Sequence, residues 1–494
     1  MACGIMSDPG IIRGLLIALD QLPYAYCYLT ETFRRNWSDP VELLNLRESP
    51  AVRKEFHRNL KDSFQEQKAE KLPCFGQAIA IDNADTTSID DAISITDTPG
   101  KDPWVHIHIA DTSSYIPPNS FIDIQARFLS ATQYFSDDFY RLLPNYVDRE
   151  LTLAKGSNRV LTFSAQMHKG VIVDHKVHFS EVTDLVLSNY DVIHELIQGR
   201  VVPKSRSGGI TSDTVLRMFQ IAKERRAARK KDVGHLQTFN GKLDNNLDSE
   251  ILVEEFMVIA GDVSSRFCQK HNIPCFYRTQ DAIHPDILNG LSRSHPLIKE
   301  ATLMTMFPSA GYSTKPSPHF LVGLDSYSHV TSPLRRYVDM IAHFQISAFL
   351  NGRPLPFQEG ELEAMSFRLN ERSRSIKRTE RSQKNQNLQY FLAESSDTHL
   401  KAFIRHVSVH LNGHTHIDFS PLLEEDLRNI RFTVDAGVAW PGQFHLGDVY
   451  KLKASLFPHN FLSVATLDSL QPISNIEKEV PASTCHFPNH LSDF

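Results

Sequence analysis

Residues 81–92 read IDNADTTSIDDA, and the pattern on either side of them sets the architecture. The stretch holds Asp82, Asp85, Asp90 and Asp91 with no lysine or arginine among them. QAIAID (77–82) and AISIT (92–96) both alternate by twos, so Asp82 ends one strand and Asp90–Asp91 begin the next. A short loop joins them, and its two ends can converge. Carboxylates about 4 Å apart repel by roughly 1 kcal/mol in water, and by more when desolvated. A divalent cation turns that repulsion into coordination, and hard oxygen donors select magnesium or manganese. The plainer alternative is a polar loop decorated with solvated aspartates.

Working outward, WVHIHIAD (104–111) is a third strand, and VLTFSAQMHKGVIVDHKVHFSEV (160–182) is a hairpin turning at Lys169–Gly170. Helical stretches follow at 192–199, 212–231, 250–271, 333–351 and 360–395. Strands return from about 397, and some 75 residues of them suit a small barrel of the OB type. Before Phe75 the chain reads as helical, at LLIALDQL (15–22) and at 52–71. The expectation is an α+β protein: a helical region at 1–75, a catalytic unit at 76–395, an OB-type barrel at 396–472 and a tail at 473–494.

Composition narrows the function classes. The 494 residues are 41% hydrophobic and 22% charged, an ordinary globular balance. Acids exceed bases by 58 to 52, so any nucleic-acid site is a local basic groove on a mildly acidic body. The six cysteines are scattered with no CxxC, which fits a reducing compartment without structural zinc. No 18-residue apolar run appears, and the start lacks a basic n-region. No membrane span, no signal peptide and a cytoplasmic location are expected.

IDNADTTSIDDA resembles the signature of the ribonuclease II (RNB) family of exoribonucleases, in which a strand-end Asp is followed by an acid six residues later and then by Asp-Asp-Ala. HIHIADTSSYI (106–116), QYFSDDFYRLLP (133–144), VEEFMVIAGD (253–262), HFLVGLDSYSHVTSPLRRYVDMIAH (319–343) and TERSQKNQNLQYFL (379–392) follow in the family's order. The resemblance spans about 75–395, and TSPLRRYVD is its most specific part. Two departures stand out. Ser88 occupies the place of the middle acid, and a helical segment stands where cold-shock barrels precede the family's catalytic domain.

The resemblance implies a 3′-to-5′ exoribonuclease. It would hydrolyse single-stranded RNA to nucleoside 5′-monophosphates, with Asp82 and Asp91 as magnesium ligands and Asp90 activating water or ligating a second metal. A hydroxyl at 88 then implies a depleted metal site, and Ser88→Asp is expected to raise activity at limiting magnesium. In TSPLRRY, Ser332 suits an N-cap and Pro333 a first helical position, which puts Arg335 and Arg336 in a first turn able to hold a phosphate. By the resemblance Arg335 meets the scissile phosphate, Tyr134 packs on the terminal nucleotide, Glu380 stands near the leaving nucleotide, and Arg336 is an RNA-binding candidate beside Arg335, though the more structural of the two. His106 and His108 share one strand face and read as packing or hydrogen-bonding groups, and His319 and His343 also read as structural. ERRAARKK (224–231) reads as a solvated helix end. A monomer acting on RNA is expected. The alternative is an RNB-fold RNA-binding pseudo-nuclease, for which Ser88 speaks. A metal-dependent phosphatase would leave TSPLRRYVD unexplained.

Overall fold

A computed structural model of the chain describes residues 49–67, 72–134, 139–200, 202, 209–229, 247–282 and 308–394, and the strands of 399–472 with parts of their connections. The stretch 15–22 lies outside the described residues. The helix expected over 52–71 is present as α1 (Pro50–Gln67). Val52, Phe56 and Leu60 recur at helical spacing along it and turn inward, Phe56 being fully buried.

Five strands close into a barrel in the order β1-β2-β3-β6-β7: β1 (Cys74–Asp82), β2 (Asp91–Thr96), β3 (Trp104–Ala110), β6 (Asn158–His168) and β7 (Val171–Asn189). All neighbours are antiparallel except β1 and β7, which pair in parallel from Cys74↔Glu181 to Asp82↔Asn189. The β6–β7 hairpin turns at Lys169–Gly170 as expected, with φ of 47° and 78°. Two successive positive φ values give the two-residue turn that matches strand twist. Gly170 is also required by space, since a Cβ there would sit 2.2 Å from the Glu224 carbonyl oxygen.

Period-two patterning divides the sheet. Ile93, Ile107, Phe163 and Val177 are successive cross-strand partners and belong to one apolar core. That core is completed by α4 (Tyr190–Ile197), α5 (Ser212–Arg229) and α6 (Asp248–Lys270). His106 and His108 share the other face of β3, and both ring nitrogens of each are satisfied by hydroxyls. Ser94 and Thr162 flank His108 at 2.8 and 2.9 Å, and Thr96 and Ser164 flank His106 at 3.0 and 2.8 Å. Burial pulls both imidazoles down, His106 to about 4 and His108 to about 3, so both are neutral hydrogen-bonding groups, as the sequence suggested.

A second core joins α2 (Phe121–Leu129), α3 (Asn145–Leu151), α7 (Tyr337–Leu350), the start of α8 (Glu359–Glu394) and Phe56 of α1. Over its described part, 224–229, the ERRAARKK run is not a solvated end. Arg225 and Arg229 are buried, Arg225 on Asp262 at 2.5 Å and Arg229 on Glu255 through two hydrogen bonds, which lock α5 to α6. The acids lie on a separate helix, where helical periodicity within 224–231 gives no sign of them.

Two short strands, β8 (Tyr277–Thr279) and β9 (Gly311–Ser313), pair antiparallel, and the C-terminal strands are β10 (His399–Val409), β11 (Thr415–Pro421), β12 (Phe432–Asp435), β13 (Val449–Leu456), β14 (Leu462–Val464) and β15 (Gln471–Pro472). They form an antiparallel sheet in the order β12-β11-β10-β13-β14, with β15 also on β13. Among the described residues no helix is long and apolar enough to cross a membrane.

Candidate active site

Barrel closure brings Asp82, the last residue of β1, and Asp91, the first of β2, to the same end of adjacent strands. The loop between them is pinned at its far end. The Asp90 carbonyl accepts from Ala110 N–H at 2.8 Å, and the Ile89 carbonyl accepts from Leu153 N–H at 3.0 Å. This fixes the Asp90 side chain, which is buried. Its Oδ1 accepts from the Leu334 N–H at 2.8 Å, and its Oδ2 lies 3.4 Å from Arg335 Nε.

Leu334 and Arg335 belong to TSPLRRY, and here the structure corrects the helix start. Helix α7 begins at Tyr337, and residue 336 is extended, with φ −133° and ψ 122°. Ser332 does not cap with its hydroxyl; its backbone N–H donates to Asp339 Oδ1 at 2.9 Å. Long-range pairing outweighs the local capping signal. Thr132 N–H donates to the Arg335 carbonyl at 2.9 Å, and Tyr337 N–H to the Ser130 carbonyl at 2.9 Å. The two arginines diverge as a result. The Arg335 side chain faces the acids and stays about half exposed. Arg336 turns inward, its guanidinium donating to Asp339 Oδ1 at 2.8 Å and to Thr331 Oγ1 at 3.2 Å. It braces the loop, and so is held on Asp339 instead of being offered to RNA, while its charge still acts on Asp90 and Asp91, less strongly than that of Arg335.

The electrostatics of the cluster follow from crowding. Burial pushes the Asp90 carboxyl up to about 7, against the Arg335 charge and the Leu334 N–H. Burial, then the Asp82 and Asp90 charges, push Asp91 up to about 8. Burial also raises Asp82, with Arg335 opposing. The phenol of Tyr190, at the start of α4, is pushed up to about 12 by burial and by the Asp82 and Asp91 charges. Tyr190 therefore borders the site. The sequence reading missed it; the only signal was its place directly after the strand that pairs with Asp82.

Tyr134 sits on a small hairpin, β4 (Gln133–Tyr134) against β5 (Phe139–Tyr140), and is half exposed. Arg335 and Asp90 both act on its phenol, so it shares the cleft with the acids. Ser88 does not face them. Its hydroxyl donates to Asp148 Oδ1 on α3 at 2.6 Å, and Asp148 Oδ2 accepts from Arg141 at 2.8 Å. Asp85 is exposed on the loop. Glu380 lies along α8, and its side chain is outside the described residues.

Among the described residues, no three acid, histidine or cysteine side chains stand as a ready-made cation cage. The donor chemistry nonetheless suits one. Asp82, Asp90 and Asp91 offer hard oxygens; burial raises the proton affinity of all three, and the Asp82 and Asp90 charges raise that of Asp91 further, a penalty that a divalent cation relieves.

Asp82 and Asp91 thus stand on adjacent strand ends of the barrel, with Asp90 beside them on Arg335 and the half-exposed Tyr134 within reach of the same charges. The RNB domain model matches residues 75–352, and the chain belongs to that family. An uncharacterized ribonuclease of Synechocystis is 29% identical over 307 residues, 58% of this chain and 44% of that protein. The chain thus spans under half the length of that curated relative. The fold is similar to that of Mycoplasma genitalium RNase R, solved with ribose-methylated single-stranded RNA, at a TM-score of 0.69 and 18% identity, over 81% of this chain and 72% of that one. It is also similar to yeast Ssd1, described as a pseudonuclease, at a TM-score of 0.59 and 14% identity, over 80% of this chain and 55% of that one.

Proposed function

We propose that the chain is a magnesium-dependent exoribonuclease that shortens single-stranded RNA from its 3′ end and releases nucleoside 5′-monophosphates. The observation that carries this reading is the meeting of Asp82, Asp90 and Asp91 with Arg335 at one end of a barrel in an RNB-family chain. Asp82, Asp90 and Asp91 would hold magnesium, with manganese as a substitute. When bound, the ion supplies charge that activates water and stabilises the leaving oxygen. Asp90 is held rigidly by Leu334 N–H and orients the attacking water. Arg335 is poised for the scissile phosphate, where charge grows in the transition state. Tyr134 offers an aromatic face to the terminal base, which suits an enzyme indifferent to sequence. Glu380 would act near the leaving nucleotide. The sheet of 399–472 would complete an OB-type barrel that guides the strand.

A second reading is an RNA-binding pseudo-nuclease, favoured by one observation: Ser88 is turned away from the acids and onto Asp148. Single-stranded RNA labelled at its 5′ end separates the two. The first reading requires stepwise shortening that EDTA stops. The second requires full-length RNA that stays bound with magnesium or without it.

A further inference from the structure

The Ser88–Asp148 contact belongs to a larger construction. Asp148 is buried on α3 and anchored through both oxygens, Oδ1 by Ser88 at 2.6 Å and Oδ2 by Arg141 at 2.8 Å. Arg141 also donates to Thr87 Oγ1 at 2.9 Å. Residues 87 and 88 of the acidic loop thus hold, directly and through Asp148, one guanidinium. Burial raises the Asp148 carboxyl, while the Ser88 hydrogen bond and the Arg141 charge oppose the rise.

Arg141 follows directly on the hairpin that carries Tyr134. The backbone at 132 is the hub: Thr132 N–H donates to the Arg335 carbonyl at 2.9 Å, while Thr132 Oγ1 accepts from Leu142 N–H at 3.0 Å. Tyr134 lies two residues further along, within reach of the charges of both Arg335 and Arg141. The charges of two guanidiniums therefore reach one half-exposed phenol, and each is tethered to a buried carboxylate, Arg335 to Asp90 and Arg141 to Asp148. A tethered arginine has already lost its rotamer freedom, so less is lost when it meets an anion.

We infer that Arg141 is a second phosphate-binding residue of the cleft, taking a backbone phosphate next to the one Arg335 takes, with Thr87, Ser88 and Asp148 as its cradle. This deepens the RNA reading above and rests on it. Ser88 then has a positioning role. Its hydroxyl fixes the acid that fixes Arg141, and the departure from the family's acid at 88 marks a rebuilt RNA contact.

The test is equilibrium binding of a fluorescent single-stranded RNA in EDTA across a salt series, with native chain and Arg141→Gln. For single strands log K falls with log salt by about 0.7 per phosphate contact. Arg141→Gln should lose about 0.7 from that slope, which is roughly a fourfold loss of affinity at about 0.15 M salt. An unchanged slope, with the variant folded, overturns the inference and leaves the RNA reading standing. If the native chain binds no single-stranded RNA at any salt, the RNA reading itself fails, and this inference with it. Should Arg141→Gln melt too early, Arg141→Lys keeps the charge without the planar fork. It should bind at least about threefold more weakly at an unchanged slope, and native affinity would overturn the inference. Ser88→Ala, assayed for hydrolysis, should weaken RNA affinity while the magnesium half-saturation stays put. A shifted magnesium requirement at native RNA affinity would return Ser88 to the metal site.

Discussion

By the resemblance of IDNADTTSIDDA to the RNB signature, replacing Ser88 by aspartate would put an acid where that signature has one. From sequence alone that change should strengthen the metal site. The structure reverses the expectation. Ser88 Oγ lies 2.6 Å from Asp148 Oδ1, so a carboxylate at 88 would face another carboxylate. Two unit charges 4 Å apart repel by about 1 kcal/mol in water and about 4 kcal/mol at an effective dielectric of 20. Arg141, already on Asp148, offsets part of this. A cost of about 1–4 kcal/mol lowers the melting temperature by about 1–4 °C in a chain of this size, because the unfolding entropy grows with length. Repulsion should also displace the 83–90 loop that carries Asp90, so turnover falls. The assay is a thermal melt at pH 5 and pH 8 beside a magnesium titration of RNA hydrolysis. The loss should be larger at pH 8, because at pH 5 one of the two facing carboxyls is more readily protonated. The exchange variant Ser88→Asp with Asp148→Ser should recover most of the stability. A Ser88→Asp protein as stable as the native chain, with a lower magnesium requirement, would refute this reasoning and place residue 88 among the metal ligands.

Asp90→Asn keeps an acceptor for Leu334 N–H but sets an amide against Arg335 Nε; hydrolysis should fall by about 10²–10⁴ while RNA binding in EDTA persists, and turnover near native would remove Asp90 from the chemistry. Arg335→Ala should lose turnover at nearly native melting temperature, whereas Arg336→Ala leaves Asp339 buried without its partner and should cost about 3–5 kcal/mol of stability; denaturant titration of both variants checks the contrast. Tyr134→Ala should change the length of the final product more than the rate on long RNA, since stacking is worth about 1–3 kcal/mol per base; an unchanged ladder would remove Tyr134 from the cleft. Burial raises the Asp90 and Asp91 carboxyls to about 7 and about 8, so the stability they lend the metal-free fold is full below the ordinary carboxylate value of 3.8 and is lost progressively from there as pH rises through about 7 and 8. Magnesium must displace those protons, so the gain in melting temperature it gives should be larger at pH 8.5 than at pH 6, and equal gains would contradict the assignment.

The legible parts of this fold are those encoded locally. Period-two alternation placed β1, β2 and β3, and a Lys-Gly pair placed the β6–β7 turn. The continuation of β7 to Asn189 and its parallel pairing with β1 were not legible, because parallel pairing joins residues about a hundred positions apart and leaves no local mark. The same limit explains the misread start of α7. Ser332 and Pro333 carry a capping signal, but Asp339 and the 130–132 segment claim the backbone first. Ser88 was visible as a departure, yet its partner on α3 was not, since nothing around Asp148 signals a hydrogen bond 60 residues away. Asp90 and Arg335 do meet, and the Asp82 and Asp90 charges both act on Asp91, proximities between distant segments that composition and periodicity do not record.

The central claim is that the acids of the barrel end cut RNA. It is tested most directly by incubating end-labelled poly(A) with the chain, in magnesium and in EDTA, and resolving the products by length. The account predicts a shortening ladder that ends in nucleoside 5′-monophosphate with magnesium and intact RNA in EDTA. Poly(A) that is bound but uncut at every magnesium concentration would contradict it.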